Sequence, residues 1–238
     1  HNAENSEELL EIRNALQEKV SVTENAESAL TEIQTAIKEQ ENILGQTANK
    51  LHNNRKKIIP AFIKQSEQIL KDLGMPNARL NIELEQGTEF LLNGRDKLEW
   101  YLAANKGGSF KEIKKAASGG ELSRIMLAVK SILAAQSNLP TIIFDEIDTG
   151  VSGEIAKKMG EILQKMGNNM QVIAITHLPQ IAGKGATHFK IFKEDSEVAT
   201  QTKIVKLEEN DRIEELALML GGNTKSDSAR AHAKSLLN

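Results

Sequence analysis

Cysteine is absent from this 238-residue chain. That excludes a disulfide framework, a thiolate-held zinc and a cysteine nucleophile, and it fits a reducing compartment. Aromatic residues make up only 3% of the sequence, with one Trp and one Tyr, which argues against base stacking as its main device. No apolar run approaches the roughly 20 residues that span a bilayer. The opening His1-Asn2-Ala3-Glu4 lacks the charged-then-apolar design of a secretion signal. An initiator Met is also missing, which leads to the expectation of a piece cut from a longer chain. A strong charge of either sign is lacking too: 30 basic and 33 acidic residues give −3, which excludes a histone-like basic coat. The charge is unevenly spread, because residues 1–54 hold 10 acids and 4 bases and leave the remaining 184 mildly basic. Hydrophobic residues, at 39%, suffice for a core in one or two domains.

What is present begins with a long helix. From residue 4 to Gly74 there is no proline before Pro60 and one interior glycine, Gly45. Leu9, Ile12, Leu16, Lys19, Thr23, Ala26, Leu30, Ile33, Ile37, Gln40, Leu44, Thr47, Leu51, Asn54 and Ile58 alternate in steps of three and four. Nine of these 15 positions are Leu or Ile, and the stripe lasts about seven heptads, which predicts a coiled coil rather than a globular helix. The weak stretch Lys19–Ala26 is a candidate elbow. A coil needs a partner strand, supplied either elsewhere in a parent protein or by self-association. Gly74 and Pro76 end the helix.

Strands are predicted at Arg79–Glu85 and Lys97–Ala104, with Asn93-Gly94 as the turn between them. A helix follows at Glu121–Ala135, a strand at Thr141–Phe144, a helix from about Ser152 to Met166 and a strand at Gln171–Thr176. Strands at His188–Phe192 and Val198–Leu207 precede helices Arg212–Leu220 and Ser226–Leu237, which Gly221-Gly222 split. This alternation is an α/β signature.

Three stretches bear on chemistry. In Thr141-Ile142-Ile143-Phe144-Asp145-Glu146 an apolar strand, expected to be covered on both faces, delivers two acids at its carboxyl end, where open α/β sheets place ligands. Asp145 is placed to hold Mg²⁺ through water, and Glu146 to orient or deprotonate an attacking water. A solvated acidic turn is the plain alternative. Ala117-Ser118-Gly119-Gly120-Glu121 opens a helix whose amides and dipole suit an anion; an N-cap serine on a flexible loop is the plain alternative. His177, at the end of the strand Gln171–Thr176, is placed to reach a phosphate at the same sheet edge. The other four histidines carry no spacing signal.

In order and spacing these stretches resemble the C-terminal half of an ABC-type nucleotide-binding head. Ser118–Glu121 then reads as the signature loop, Thr141–Glu146 as the Walker B strand, Asp148–Gly153 as the D-loop and His177 as the switch histidine. The wording of Lys115–Ala128, Phe144–Gly153, Thr176–Ala182, Glu215–Gly222, Ala229–Leu237 and Leu73–Pro76 resembles, more closely, the RecN family of bacterial DNA repair proteins. The resemblance runs from the coil to the last residues. It implies a partial P-loop ATPase fold: a coiled-coil arm and its junction over 1–74, and the C-terminal lobe of an SMC-like head over 75–238.

The resemblance also implies roles. Two heads would sandwich ATP, with Asp145 helping to coordinate Mg²⁺, Glu146 as catalytic base and His177 at the γ-phosphate and attacking water. Ser118, Gly119, Gly120 and Glu121 would serve the ATP of the opposite head, and Asp148 with its loop would cross the dimer interface. ATP would close a homodimer and hydrolysis open it. The implied partners are DNA, as ends or single-stranded tails, and the N-terminal half of the same protein. The implied setting is cytoplasmic and nucleoid-associated, in double-strand break repair, with no membrane. The basic clusters Arg55-Lys56-Lys57 and Lys111, Lys114, Lys115 are candidate DNA contacts, or simply solvated faces.

One element is missing. No Gly-x-x-x-x-Gly-Lys-[Ser/Thr] occurs, and Gly183-Lys184-Gly185 lacks its spacing and hydroxyl, so the phosphate-holding lysine is absent from these residues. In RecN-like proteins it lies before the coil goes out and returns, which leads to the expectation that this chain alone is inactive. Two other readings stay open. A transporter ATPase subunit, the less favoured of the two, should carry its own Walker A lysine, a glutamine loop and no heptads, and this sequence fails all three. A coiled-coil adaptor with a dead ATPase-like end should bind no nucleotide even when completed.

Overall fold

The computed structural model describes residues 5–136, 139–145, 147–195, 200–221 and 226–237, without the side chains of Glu24 and Ala116. Glu146, Val198, Ala199 and Gly222 lie outside the described residues. By contacts the chain forms two compact units, 1–58 with 84–97, and 59–83 with 98–238.

Helix α1, Ser6–Asp72, is unbroken. The elbow expected at Lys19–Ala26 is not there: Ser21 and Thr23 donate their hydroxyls to the carbonyls of Glu18 and Lys19, so these residues satisfy their side chains on the helix itself. The seam residues Leu9, Leu16, Leu30, Ile33, Ile37 and Leu44 are exposed. The helix stops as the sequence predicts, in a Schellman turn. Gly74 takes φ +79°, its N–H bonds to Lys71 O, and Met75 N–H bonds to Leu70 O at 2.9 Å.

Strands β1, Arg79–Leu91, β2, Gly94–Ala103, and β3, Lys111–Glu112, form one sheet in that order. Both β1 and β2 run further toward Asn93-Gly94 than the sequence predicts. In the first unit the reason is a clasp. Asp96 is buried and accepts from Arg55 at 2.7 Å, with His52 Nδ1 also at 2.7 Å, while Arg55 also donates to Asn93 O. Burial alone would raise the Asp96 pKa; the hydrogen bonds and charges of Arg55 and His52 outweigh it and hold the carboxyl below its ordinary value.

In the second unit, α2 (Ile113–Ala116) leads to α3 (Gly119–Ala134). Then come β4 (Thr141–Asp145), α4 (Gly153–Gly167), β5 (Gln171–Ile175) and α5 (Pro179–Ala182). The hairpin β6 (His188–Asp195) and β7 (Thr200–Leu207), and helices α6 (Glu209–Gly221) and α7 (Asp227–Leu237), complete it. Neither short helix, α2 or α5, is predicted from sequence, since four residues are too few for periodicity to register.

Helix α4 buries Ala156, Met159, Leu163 and Met166, one face at helical spacing, against Phe144 of β4, Leu127 of α3 and Ile181 of α5. Strands β4 and β5 pair in parallel. They are not covered on both faces as expected. Ile142, Phe144, Val172 and Ala174 face this core, but Ile143, Ile173 and Ile175 on the other face are 58%, 42% and 48% exposed. The cause is packing: among the described residues, covering helices lie on one side of this two-stranded sheet.

Candidate functional site

The parallel pairing of β4 and β5 is in step from Thr141↔Gln171 to Asp145↔Ile175. Both strands therefore end at one edge, and the residues after them emerge side by side. Asp145, the last residue of β4, is exposed there. Three residues on, the chain turns Asp148 inward. Its side chain is 2% exposed. One carboxylate oxygen, Oδ2, accepts from the Thr176 hydroxyl and from the His177 amide at 3.1 Å. The His177 ring nitrogen Nδ1 lies 3.2 Å from the same oxygen, yet the His177 side chain is 75% exposed. Thr176 Oγ1 in turn accepts from Leu178 N–H at 3.0 Å. The Asp148 carboxylate thus fastens the end of β5 to the loop after β4. The exposed residues of that loop are Thr149, Gly150, Ser152 and Gly153.

Ser118 is the N-cap of α3 and forms a complete capping box. Its hydroxyl accepts from Glu121 N–H at 3.4 Å, and the Glu121 carboxylate accepts from Ser118 N–H at 2.8 Å. The N-cap alternative therefore holds as local structure, and Glu121 serves it. The two glycines that follow differ. A Cβ on Gly120 would stand 3.0 Å from Thr149 O, so Gly120 is needed for close approach to the loop of Asp148. A Cβ on Gly119 would meet nothing within 4 Å. Amides in the first turn of a helix have no intrahelical partner, so this open position leaves anion donors uncovered.

The structure therefore joins three separate stretches, the start of α3 through Gly120, the loop after β4 through Thr149 and Asp148, and the end of β5 through Thr176 and His177. Sequence reasoning missed that Asp148 turns toward His177, and it gave Thr176 and the Thr149 carbonyl no part. No sequence signal showed this, because it depends on the pairing register of β4 and β5.

Among the described residues no group of three or more His, Asp or Glu could form an all-protein metal cage. Mg²⁺ does not need one, since it keeps waters and takes one or two carboxylates plus substrate phosphates, and the exposed Asp145 fits that donor set. Of the basic clusters, Arg55 is committed to Asp96 and Lys115 to Glu112 at 2.9 Å. Lys56, Lys57, Lys111 and Lys114 are exposed.

No protein-family model matches the chain. The Smc head domain with a coiled coil and joint from Pyrococcus yayanosii superposes with TM-score 0.54 at 20% identity, covering 86% of this chain and 36% of that one. The Smc head domain with an extended coiled coil from Pyrococcus furiosus, solved with the C-terminal domain of ScpA, gives 0.53 at 20% identity, covering 88% and 52%. The fold is that of part of an ABC/SMC-type head with a long helix leading into it.

The sequence narrows this further. The DNA repair protein RecN of Vibrio cholerae is 36% identical over 236 residues, 97% of this chain and 42% of RecN. That of Bacillus subtilis is 32% identical over 246 residues, 97% and 43%; that of Rickettsia felis is 44% identical over 171 residues, 72% and 31%. The chain belongs with the RecN proteins and corresponds to their C-terminal part, spanning about two fifths of the length of the curated relatives it matches.

Proposed function

We propose that this chain is the C-terminal lobe and returning coil strand of an ATP-hydrolysing head in a RecN-type DNA repair protein. The observation that carries this reading is the meeting of the α3 start, the loop after β4 and the end of β5 through Gly120, Thr149, Asp148 and His177.

In this reading Glu146 is the base that takes a proton from the attacking water, and the exposed ring of His177 faces the γ-phosphate and that water. Asp145 would help to hold Mg²⁺, which would supply charge neutralisation at the phosphates. Gly119 and Gly120 offer the first-turn amides of α3 to the γ-phosphate of ATP on an opposite head, while Ser118, held in its cap by Glu121, opens that helix beside the same phosphate. Asp148 is buried, so Thr149, Gly150, Ser152 and Gly153 are the loop residues left to cross a head–head interface. ATP closes the homodimer of heads and hydrolysis reopens it.

The remainder of the head, including the phosphate-holding lysine, lies on the N-terminal half of the same protein. The bare face of Ile143, Ile173 and Ile175 supports this, because parallel sheets are normally covered on both faces. The exposed seam of α1 supports an antiparallel coil partner from the same source. DNA ends or single-stranded tails are the substrate held, with Lys56, Lys57, Lys111 and Lys114 as candidate phosphate contacts. The protein works at the nucleoid in the cytoplasm, and no helix among the described residues is long and apolar enough to cross a membrane.

The test is Glu146→Gln in the protein carrying both halves. Steady-state hydrolysis should fall about 100-fold or more while ATP-bound head dimers accumulate. Unchanged turnover removes Glu146 from the role of base.

A further inference from the structure

We propose that Asp148 is a positioning residue for His177, fixing through Oδ2 both the backbone at the end of β5 and which nitrogen of the exposed imidazole faces the ligand. This deepens the ATP-hydrolysing reading and rests on it.

Two donors bond to one buried oxygen, and a ring nitrogen stands beside it. The Thr176 hydroxyl and the His177 amide bond to Asp148 Oδ2, and His177 Nδ1 stands 3.2 Å from it. A loop tie alone needs only the first two. A carboxylate is acceptor-only, so the ring nitrogen turned toward it carries a hydrogen, and Nε2 is the nitrogen left on the exposed side. Thr176 adds a second lock, since its hydroxyl donates to Asp148 and accepts from Leu178 N–H, which prevents the peptide at His177 from rotating away. The in-step register, with Asp145 beside Ile175, is what brings Asp148 within reach of residues 176 and 177. The sequence places an aspartate here two residues after Glu146. The carboxylate at the opposite end of the imidazole is therefore supplied by the same loop that carries the base.

The test has two arms. In the first, the 238-residue chain is labelled with ¹⁵N in its five histidines and the tautomer of His177 is read from long-range ¹H–¹⁵N couplings. The wild type should be the Nδ1–H form, and Asp148→Ala and the isosteric Thr176→Val should lose that preference. Asp148→Asn, which keeps one carbonyl oxygen, should retain it in part, and Thr176→Ser should retain it fully. In the second arm the same variants are placed in the protein carrying both halves. Asp148→Ala and Thr176→Val should lower kcat about 10- to 100-fold, as misplaced catalytic groups do, with KM for ATP nearly unchanged. Thr176→Ser should restore most of the rate. An Nε2–H wild type, or a His177 tautomer indifferent to both substitutions, overturns the positioning role whatever the rate does. A changed tautomer with unchanged hydrolysis supports the positioning by Asp148 and overturns instead the reading that the His177 ring acts in hydrolysis.

Discussion

Two buried aspartates, one in each unit of the chain, are held by different chemistry. Asp96 of the first unit faces two potential cations, Arg55 and His52, each at 2.7 Å. Both carboxylate oxygens are spent on those two side chains, and the result is a hairpin clasped to α1. Asp148 of the second unit faces a hydroxyl, an amide and one nitrogen of a ring that is itself mostly exposed. Its bonds leave a reactive group presented rather than consumed. A buried acid matched to cations is a fastening, whereas one matched to neutral donors beside an exposed imidazole prepares a surface for something that has yet to arrive.

Asp96→Ala breaks this contrast most strongly from the arm side. It leaves Arg55 and His52 without their acceptor and should destabilise the clasp by about 2–3 kcal/mol, less than for a fully buried pair because Arg55 is 30% exposed. Hydrogen exchange should quicken in 84–97 and along α1 near Leu51, while the Nδ1–H form of His177 persists. The clasp should also respond to acid. Because the folded pKa of Asp96 lies below its ordinary 3.8, its contribution is fully present above that value and lost as pH falls through the lower, folded one. Exchange in 84–97 should therefore be flat with pH down to about 4, corrected for intrinsic rates, and rise below it.

Smaller effects come from the two glycines at the start of α3. Gly120→Ala pushes a methyl toward Thr149 O at 3.0 Å and should cost about 1 kcal/mol in thermal or denaturant unfolding. Gly119→Ala meets nothing within 4 Å and should leave stability unchanged or raise it by about 0.5 kcal/mol. In the complete protein, however, it should weaken ATP-dependent head association. Equal stability losses at both positions would mean that Gly119 is there for packing rather than for a ligand.

Much of this was legible in the residues. The three-and-four spacing of Leu and Ile marked α1, Gly74 and Pro76 marked its end, and the order of Ser-Gly-Gly-Glu, Asp-Glu and Thr-His pointed to the candidate site. Burial and partnering were less legible. Ile143, Ile173 and Ile175 read as core because hydrophobicity says what a face seeks and not what covers it. The stretch Lys19–Ala26 read as a candidate elbow, although a hydroxyl returned to the carbonyl four residues back, as at Thr23, is compatible with helix. The inward turn of Asp148 toward residues 176 and 177 was not legible, because it depends on strand register, and no local pattern encodes register between segments some 30 residues apart.

The most direct measurement is ATP hydrolysis by the purified 238-residue chain in Mg²⁺, beside its Glu146→Gln variant and beside the protein carrying both halves. The chain alone should show no turnover above the variant, and Glu146-dependent turnover should emerge when the other half is restored. Robust Mg²⁺-dependent hydrolysis by the wild-type chain alone, abolished by Glu146→Gln, would contradict the reading of this lobe as one half of a shared site.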